Sequence, residues 1–176
     1  MLARAIDAAG AARDDASQTL VFIGCGCGRA LLAAALVHRW GRVVGLEADA
    51  ARVARVRSQV GRLQALLARS RLEPVACEVI EGDYRSYAYG GADLVCPPDD
   101  DISSTAAADG LQLRELSDKL GEELRHGAKV IVFDARLREL GLGWAFARLA
   151  HFVDDAAYSW ANVYMKLNAQ RSCELF

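Results

Sequence analysis

The sequence lacks any apolar run approaching the roughly 20 residues that a bilayer-spanning helix requires. Its opening, Met1-Leu-Ala-Arg-Ala-Ile-Asp7, reads as a charged helix rather than a cleavable leader, so an intracellular domain is expected. The five cysteines are odd in number and none stands in a C-x-x-C pair, which argues against a disulfide framework and a standard zinc site. No metal is expected. Basic excess is also missing: 21 Lys and Arg face 23 Asp and Glu, with a net charge of -2 and a pI near 5.9. The chain as a whole therefore carries no footprint for nucleic acid, and any nucleic-acid or chromatin contact has to be local. No internal repeat or low-complexity tail stands out. With 176 residues and 53% hydrophobic content, one sizeable core fits and a second full domain does not.

What is present is concentrated near the start. The apolar run Leu20-Val-Phe-Ile23 enters Gly24-Cys25-Gly26-Cys27-Gly28, a helical pattern follows, and a second apolar run, Val43-Val-Gly-Leu46, ends on Glu47. A strand, a glycine turn, a helix and a strand closing on a carboxylate about 20 residues later make a nucleoside-binding βαβ unit. The glycines let the backbone bend and approach a ligand without an intervening Cβ, and the carboxylate can accept from ribose hydroxyls. The spacing is G-x-G-x-G, not the G-x-G-x-x-G that sets a helix N-terminus against a pyrophosphate, and no Lys-Ser/Thr follows as in a P-loop. It resembles the first motif of class I S-adenosylmethionine methyltransferases, which makes S-adenosyl-L-methionine the expected cofactor. A nicotinamide or flavin pocket and a purely structural turn are the competing readings. Cys25 and Cys27 read first as small side chains in that turn, with a redox or metal role as the alternative.

Further along, strand and helix periodicities alternate, predicting an α/β doubly wound, mostly parallel sheet with an antiparallel C-terminal hairpin. Residues 1–18 form a leading helix and linker, and 19–176 the single functional domain. A helix is predicted over Leu2 to Arg13 and strands over Thr19 to Ile23 and Val43 to Glu47. Helices cover Arg29 to Trp40, ended by Gly41, and residues 50–69, capped by Asp49. The arginines at 52, 55, 57, 62 and 69 read as a solvated face rather than a binding stripe. Strand three, Cys77 to Ile80, leads into Glu81-Gly82-Asp83-Tyr84. Asp83 faces the same crevice and can accept from an adenine amino group, while Tyr84 offers a backbone N–H and a ring edge. The competing role for Asp83 is a turn former. Strand four, Ala92 to Cys96, ends at Pro97-Pro98-Asp99-Asp100-Asp101, where an acceptor meets the transferred group in folds of this type. The triple aspartate either steers a cationic acceptor or is simply solvated. A helix over Leu111 to Leu124, a strand over Lys129 to Phe133, a turn-helix stretch from Gly141 to Leu149 and a closing hairpin over Ala157 to Leu167 complete the chain.

Together with Ser159-Trp160, Tyr164 and the ending Glu174-Leu-Phe176, these motifs resemble the catalytic core of the disruptor-of-telomeric-silencing histone-lysine methyltransferases over roughly residues 19–176. The resemblance implies a non-SET class I fold, a nuclear location and a lysine of a nucleosomal core histone as acceptor. It further implies that Gly24, Cys25, Gly26 and Gly28 flank the methionine part of the cofactor, that Glu47 binds its ribose, and that Asp83 and Tyr84 hold its adenine. Trp160 and Tyr164 would line an apolar lysine channel, with Cys96 beside the accepting amine. Aromatic walls suit an aliphatic stem and a cationic head; a core aromatic is the alternative for Trp160.

The chain also departs from that family, as a divergent or reduced member. Phe22 stands where an acidic residue precedes the first glycine, and Cys96-Pro97-Pro98 where the family has asparagine. A neutral amine must be aimed in line at the sulfonium carbon, and a side-chain amide that helps do so is absent. Three functions follow: a protein-lysine methyltransferase; a methyltransferase for a small molecule or nucleic acid, suggested by the proline pair; and a catalytically silent interaction domain.

Overall fold

A computed structural model describes residues 2–10, 16–97, 108–133, 146–154 and 159–167, with no side-chain description at 108–113, 147, 154, 159 and 160. In chain order the elements are α1 (Leu2–Ala8), β1 (Thr19–Ile23), α2 (Arg29–Val37), β2 (Arg42–Glu47), α3 (Ala50–Arg69), β3 (Cys77–Glu81), β4 (Leu94–Cys96), α4 (Ala108–Glu123), β5 (Lys129–Phe133), β6 (Phe146–Asp154) and β7 (Ser159–Lys166). They build one seven-stranded sheet in the order β3-β2-β1-β4-β5-β7-β6. The first five strands pair parallel, and β7 runs antiparallel to both β5 and β6.

Strands buried on both faces read as continuous apolar runs, which is why β1, β2 and β5 are legible as strands at all. Alternate residues divide between two cores. Leu20, Phe22, Val43, Cys96, Ile131 and Val163 face α1, α2 and α3, meeting Ile6, Leu31, Ala34, Val53 and Val56. Val21, Ile23, Val44, Leu46, Val95, Val130 and Val132 face the other way, against Tyr89 and the Leu116 and Leu120 side chains of α4. Asp49 caps α3, its Oδ1 accepting from the Arg52 N–H at 2.8 Å, and those first-turn N–H groups hold its carboxyl below the usual range. Arg57 ties the same helix to β3, donating from Nε and Nη2 to the Val79 carbonyl at 3.1 and 3.0 Å.

Several boundaries differ from expectation: α1 ends at Ala8 rather than Arg13, α4 starts at Ala108 rather than Leu111, and three further differences have a visible cause. Helix α2 stops at Val37 rather than Trp40: His38 is already extended, and the Trp40 indole N–H turns back to the Ala34 carbonyl at 2.9 Å. Strand β4 begins at Leu94, because Asp93 is used at the strand's start, its Oδ2 accepting from the Thr19 N–H at 2.9 Å. Phe146 to Leu149, expected in a turn-helix stretch, belongs to β6, and the 157–167 hairpin is in fact the second arm, β7, of a longer one. A register shift between Arg148 and Ala150 interrupts the two-residue period there and disguises the strand. The Asp99–Asp101 and Glu174–Phe176 segments lie outside the described residues. Among the described residues no helix is long and apolar enough to cross a membrane.

Candidate functional site

Strand β1 has β2 on one side and β4 on the other, so the chain's crossovers diverge there and leave a crevice at the carboxyl ends of the strands. The glycine turn sits in it. Gly24, Gly26 and Gly28 all adopt positive φ, at 62°, 54° and 78°. Their surroundings separate them. A Cβ on Gly28 would lie 2.7 Å from Val56 Cγ1, so this residue is bare to let α3 approach the start of α2. A Cβ on Gly26 would meet nothing closer than the Gly24 carbonyl at 3.9 Å. Packing within the protein does not require Gly26 to be bare; its left-handed backbone does, and open space lies above it.

Glu47, only 6% exposed, is the fastening point of the crevice. Its Oε2 accepts from the Gly26 N–H at 2.9 Å and its Oε1 from the Asp49 N–H at 3.0 Å. The Glu47 carbonyl accepts from the Gly82 N–H at 3.0 Å, which brings the turn after β3 alongside, and the Cys25 N–H donates to the Leu46 carbonyl at 2.8 Å. An ionised carboxylate offers about four acceptor positions. Two are used among the described residues, leaving capacity for hydroxyl donors.

A cavity of about 470 Å³ opens over this turn, bordered by Phe22 to Cys27, by Arg29 and Ala30 of α2, by Arg52 and Arg55 of α3, and by Cys96, Pro97 and Phe133 from the ends of β4 and β5. Phe22 is buried and forms part of the wall, leaving the space open. Cys25 is half-buried, and burial first, then the Glu47 charge, pushes its thiol up to about 11. Cys27 is exposed, and hydrogen bonds from the Arg29 backbone and guanidinium draw its thiol below the ordinary value. Cys96 is buried at the cavity wall.

Asp83 and Tyr84 follow β3 as expected, beside Glu47 by way of Gly82. Asp83 is nevertheless engaged: its Oδ1 accepts from the Arg85 N–H at 2.8 Å and its Oδ2 from Arg85 Nη1 at 3.2 Å. Arg85 reaches on to Glu115 of α4, with Nη2 at 2.8 Å, and its guanidinium carbon lies 4.7 Å from the centre of the Tyr84 ring. The Tyr84 hydroxyl donates to the same Glu115 carboxylate at 3.4 Å. Sequence reasoning missed Arg85 and Glu115. Arg85, two residues after Asp83, fits an Asx-turn signal, whereas nothing marks Glu115, 30 residues away in sequence.

The aromatic pair separates. Ala161 pairs with Phe133 and Trp160 with Val153, so the Trp160 backbone lies at the crevice end of the sheet. Tyr164 pairs with Val130, three residues and about 10 Å of strand away from the crevice. It is 1% exposed and packs in the core facing α4, so its expected place in an acceptor channel is corrected to that of a core aromatic. Arg52 and Arg55, read as part of a solvated face, are indeed exposed and also border the cavity, and Arg29 and Phe133 are further lining residues that the sequence reading passed over.

No family model matches the chain, and no curated protein matches it. Solved structures do. An RNA methyltransferase from Salinibacter ruber in complex with S-adenosyl-L-homocysteine is 20% identical, with a TM-score of 0.69 over 95% of this chain and 90% of that one. The putative methyltransferase yhhF from Escherichia coli is 16% identical, with a TM-score of 0.65 over 94% and 84%. TrmN from Thermus thermophilus is 18% identical, with a TM-score of 0.65 over 94% of this chain and 48% of that one. The chain has the Rossmann-like methyltransferase fold: seven strands, mostly parallel, with an antiparallel C-terminal pair. At these identities the likeness is one of fold, and the histone-lysine resemblance has no counterpart in these three.

Proposed function

We propose that this chain is an S-adenosylmethionine-dependent methyltransferase whose acceptor is an RNA or a small molecule. The hydrogen bond from Gly26 to the buried Glu47 carboxylate, beneath an open cavity, is the observation that carries this reading. The residues fit the cofactor. Gly26 presents bare backbone with free space above it, Glu47 keeps acceptor capacity for ribose hydroxyls, and about 470 Å³ falls within the ordinary range of small-molecule sites. Asp83 and Tyr84 would hold the adenine, with Arg85 released from the Asp83 carboxylate or shifted with it. When bound, the cofactor supplies an electrophilic methyl group on a sulfonium. The chain's own part is to orient the acceptor at Cys96-Pro97 and keep water out, since no general acid or base is obligatory.

The silent-domain alternative rests on Phe22 and on the missing side-chain amide at Cys96-Pro97; a buried Phe22 that leaves the cavity open removes the first of these grounds. The histone-lysine alternative rests on the sequence resemblance and on the backbone position of Trp160; the loss of Tyr164 from the channel and the arginines at the cavity weigh against it. Calorimetric titration with S-adenosyl-L-homocysteine, followed by radiolabelled methyl transfer to RNA, small amines, free histones and nucleosomes in parallel, tests the proposal. Cofactor binding with label in RNA or small amines is expected. Label confined to nucleosomes would restore the histone reading, and absence of cofactor binding would end the enzymatic one.

A further inference from the structure

We propose that Arg29, Arg52 and Arg55 form an anion-binding site at the cavity that grips a phosphate of an RNA acceptor. This rests on the methyltransferase reading above and names its substrate class. Arg52 and Arg55 stand three residues apart and so share a face of α3, while Arg29 opens α2. What brings the two helices together is the missing side chain at Gly28, against which Val56 packs directly. All three arginines border the same cavity.

Four of the chain's other arginines are committed elsewhere, and what sets Arg29, Arg52 and Arg55 apart is their place at the cavity. Arg42 is paired with Glu78, Arg85 with Asp83 and Glu115, Arg125 with Asp93, and Arg57 is spent on the Val79 carbonyl. Among the described residues, no carboxylate forms an ion pair with Arg29, Arg52 or Arg55. The nearby Asp49 carboxylate accepts from the Arg52 backbone N–H and feels the Arg52 and Arg55 charges without closing an ion pair, and Arg29 faces the Cys27 thiol. Three arginines thus border the crevice of a chain whose net charge is negative. The start of α2 adds its positive end in the same place. Guanidinium forks match phosphate oxygens, and a cationic lysine acceptor would be repelled. A local grip of this kind meets the requirement that any nucleic-acid contact in an acidic chain be concentrated in one place.

The test uses the full chain, a fluorescent single-stranded RNA oligonucleotide followed by anisotropy across a salt series, and S-adenosyl-L-homocysteine titration of the same proteins. R52A/R55A is compared with R62A/R69A, which removes the same charge from exposed positions of the same helix outside the cavity lining. R52A/R55A is expected to weaken RNA binding by about tenfold or more. The slope of log affinity against log salt should shrink by about 0.7, the value for one single-strand phosphate contact. S-adenosyl-L-homocysteine affinity should fall clearly less than RNA affinity, and R62A/R69A should match the parent. Equal loss in both double variants would reduce the site to bulk charge. Loss of cofactor affinity matching the loss for RNA would give the arginines to the cofactor's carboxylate. If the parent binds cofactor but not RNA, this inference fails and the methyltransferase reading survives; if it binds no cofactor, that reading fails first.

Discussion

Replacing Gly28 with alanine isolates the packing that assembles the crevice. Two costs add. The residue sits at φ 78°, a left-handed conformation that costs an L-residue about 1–2 kcal/mol. The new methyl group also arrives 2.7 Å from Val56 Cγ1 and 3.3 Å from its Cγ2, where contact distances of about 3.5–4.0 Å are needed. Val56 is fully buried and cannot swing aside, so the overpacking cost falls in the usual range of about 1–3 kcal/mol. The total is about 2–5 kcal/mol, or a fall in melting temperature of about 4–20 °C for a domain of this size. Urea denaturation of G28A, V56A and the double variant supplies the assay. V56A alone should cost about 2 kcal/mol through lost burial and a small cavity. The double variant should be more stable than the sum of the two losses implies, by about 1–3 kcal/mol, because removing the Val56 methyl groups clears the clash. A G28A variant within about 0.5 kcal/mol of the parent, or strictly additive losses, would refute the close approach of α2 and α3.

Glu47→Ala strips the acceptor from the Gly26 and Asp49 N–H groups; it should lower stability in thermal melts and weaken S-adenosyl-L-homocysteine binding by about 1.5–3 kcal/mol in calorimetry. Gly26→Ala should cost only about 1 kcal/mol of stability, since space is open there, yet reduce cofactor affinity by about tenfold or more through a Cβ projecting into the crevice. Cys27 should be the first of the described cysteines to react with iodoacetamide. The thiolate is the reactive form, so its rate should climb with pH through a midpoint below the ordinary thiol value, while Cys25 and Cys77, both pushed up to about 11 by burial, lag behind. Bound S-adenosyl-L-homocysteine should protect Cys27, and C27S should abolish the fast phase, as followed by mass spectrometry. Tyr164→Ala should destabilise the fold by about 3–5 kcal/mol, as for other buried aromatics, while the folded fraction keeps its cofactor affinity by calorimetry.

Local signals carried much of the architecture. Helix α3 matches its expected span because one residue, Asp49, caps it and a regular apolar stripe runs down one side. The ends of β1 and β2 were equally legible, since glycine and a carboxylate punctuate them. Strand β6 was not. Its Phe146-Ala-Arg-Leu-Ala150 opening is rich in helix formers and contains an irregularity, so neither propensity nor a period of two reveals it. Tyr164 failed for another reason: spacing along β7 says which residues share a face but not how far they lie from the crevice, and that depends on the antiparallel register with β5.

The same distinction explains the cavity. Glycine positions and the Glu47 carboxylate are readable because each does its work within a short βαβ unit, and the structure closes that unit through the Gly26–Glu47 and Cys25–Leu46 hydrogen bonds. The lining contributed by Cys96, Pro97 and Phe133 depends on which strands neighbour β1, a property of sheet order rather than of any local pattern. Arg52 and Arg55 are the harder case. Like Arg62 and Arg69, they are polar positions on the exposed surface of one helix. Only the approach of α3 to α2 at Gly28 divides that surface into a half that borders the crevice and a half that does not. A glycine that looks like part of the ligand turn therefore acts on the far side of its own backbone, by setting the distance between two helices, and through that distance decides which charges a ligand would meet.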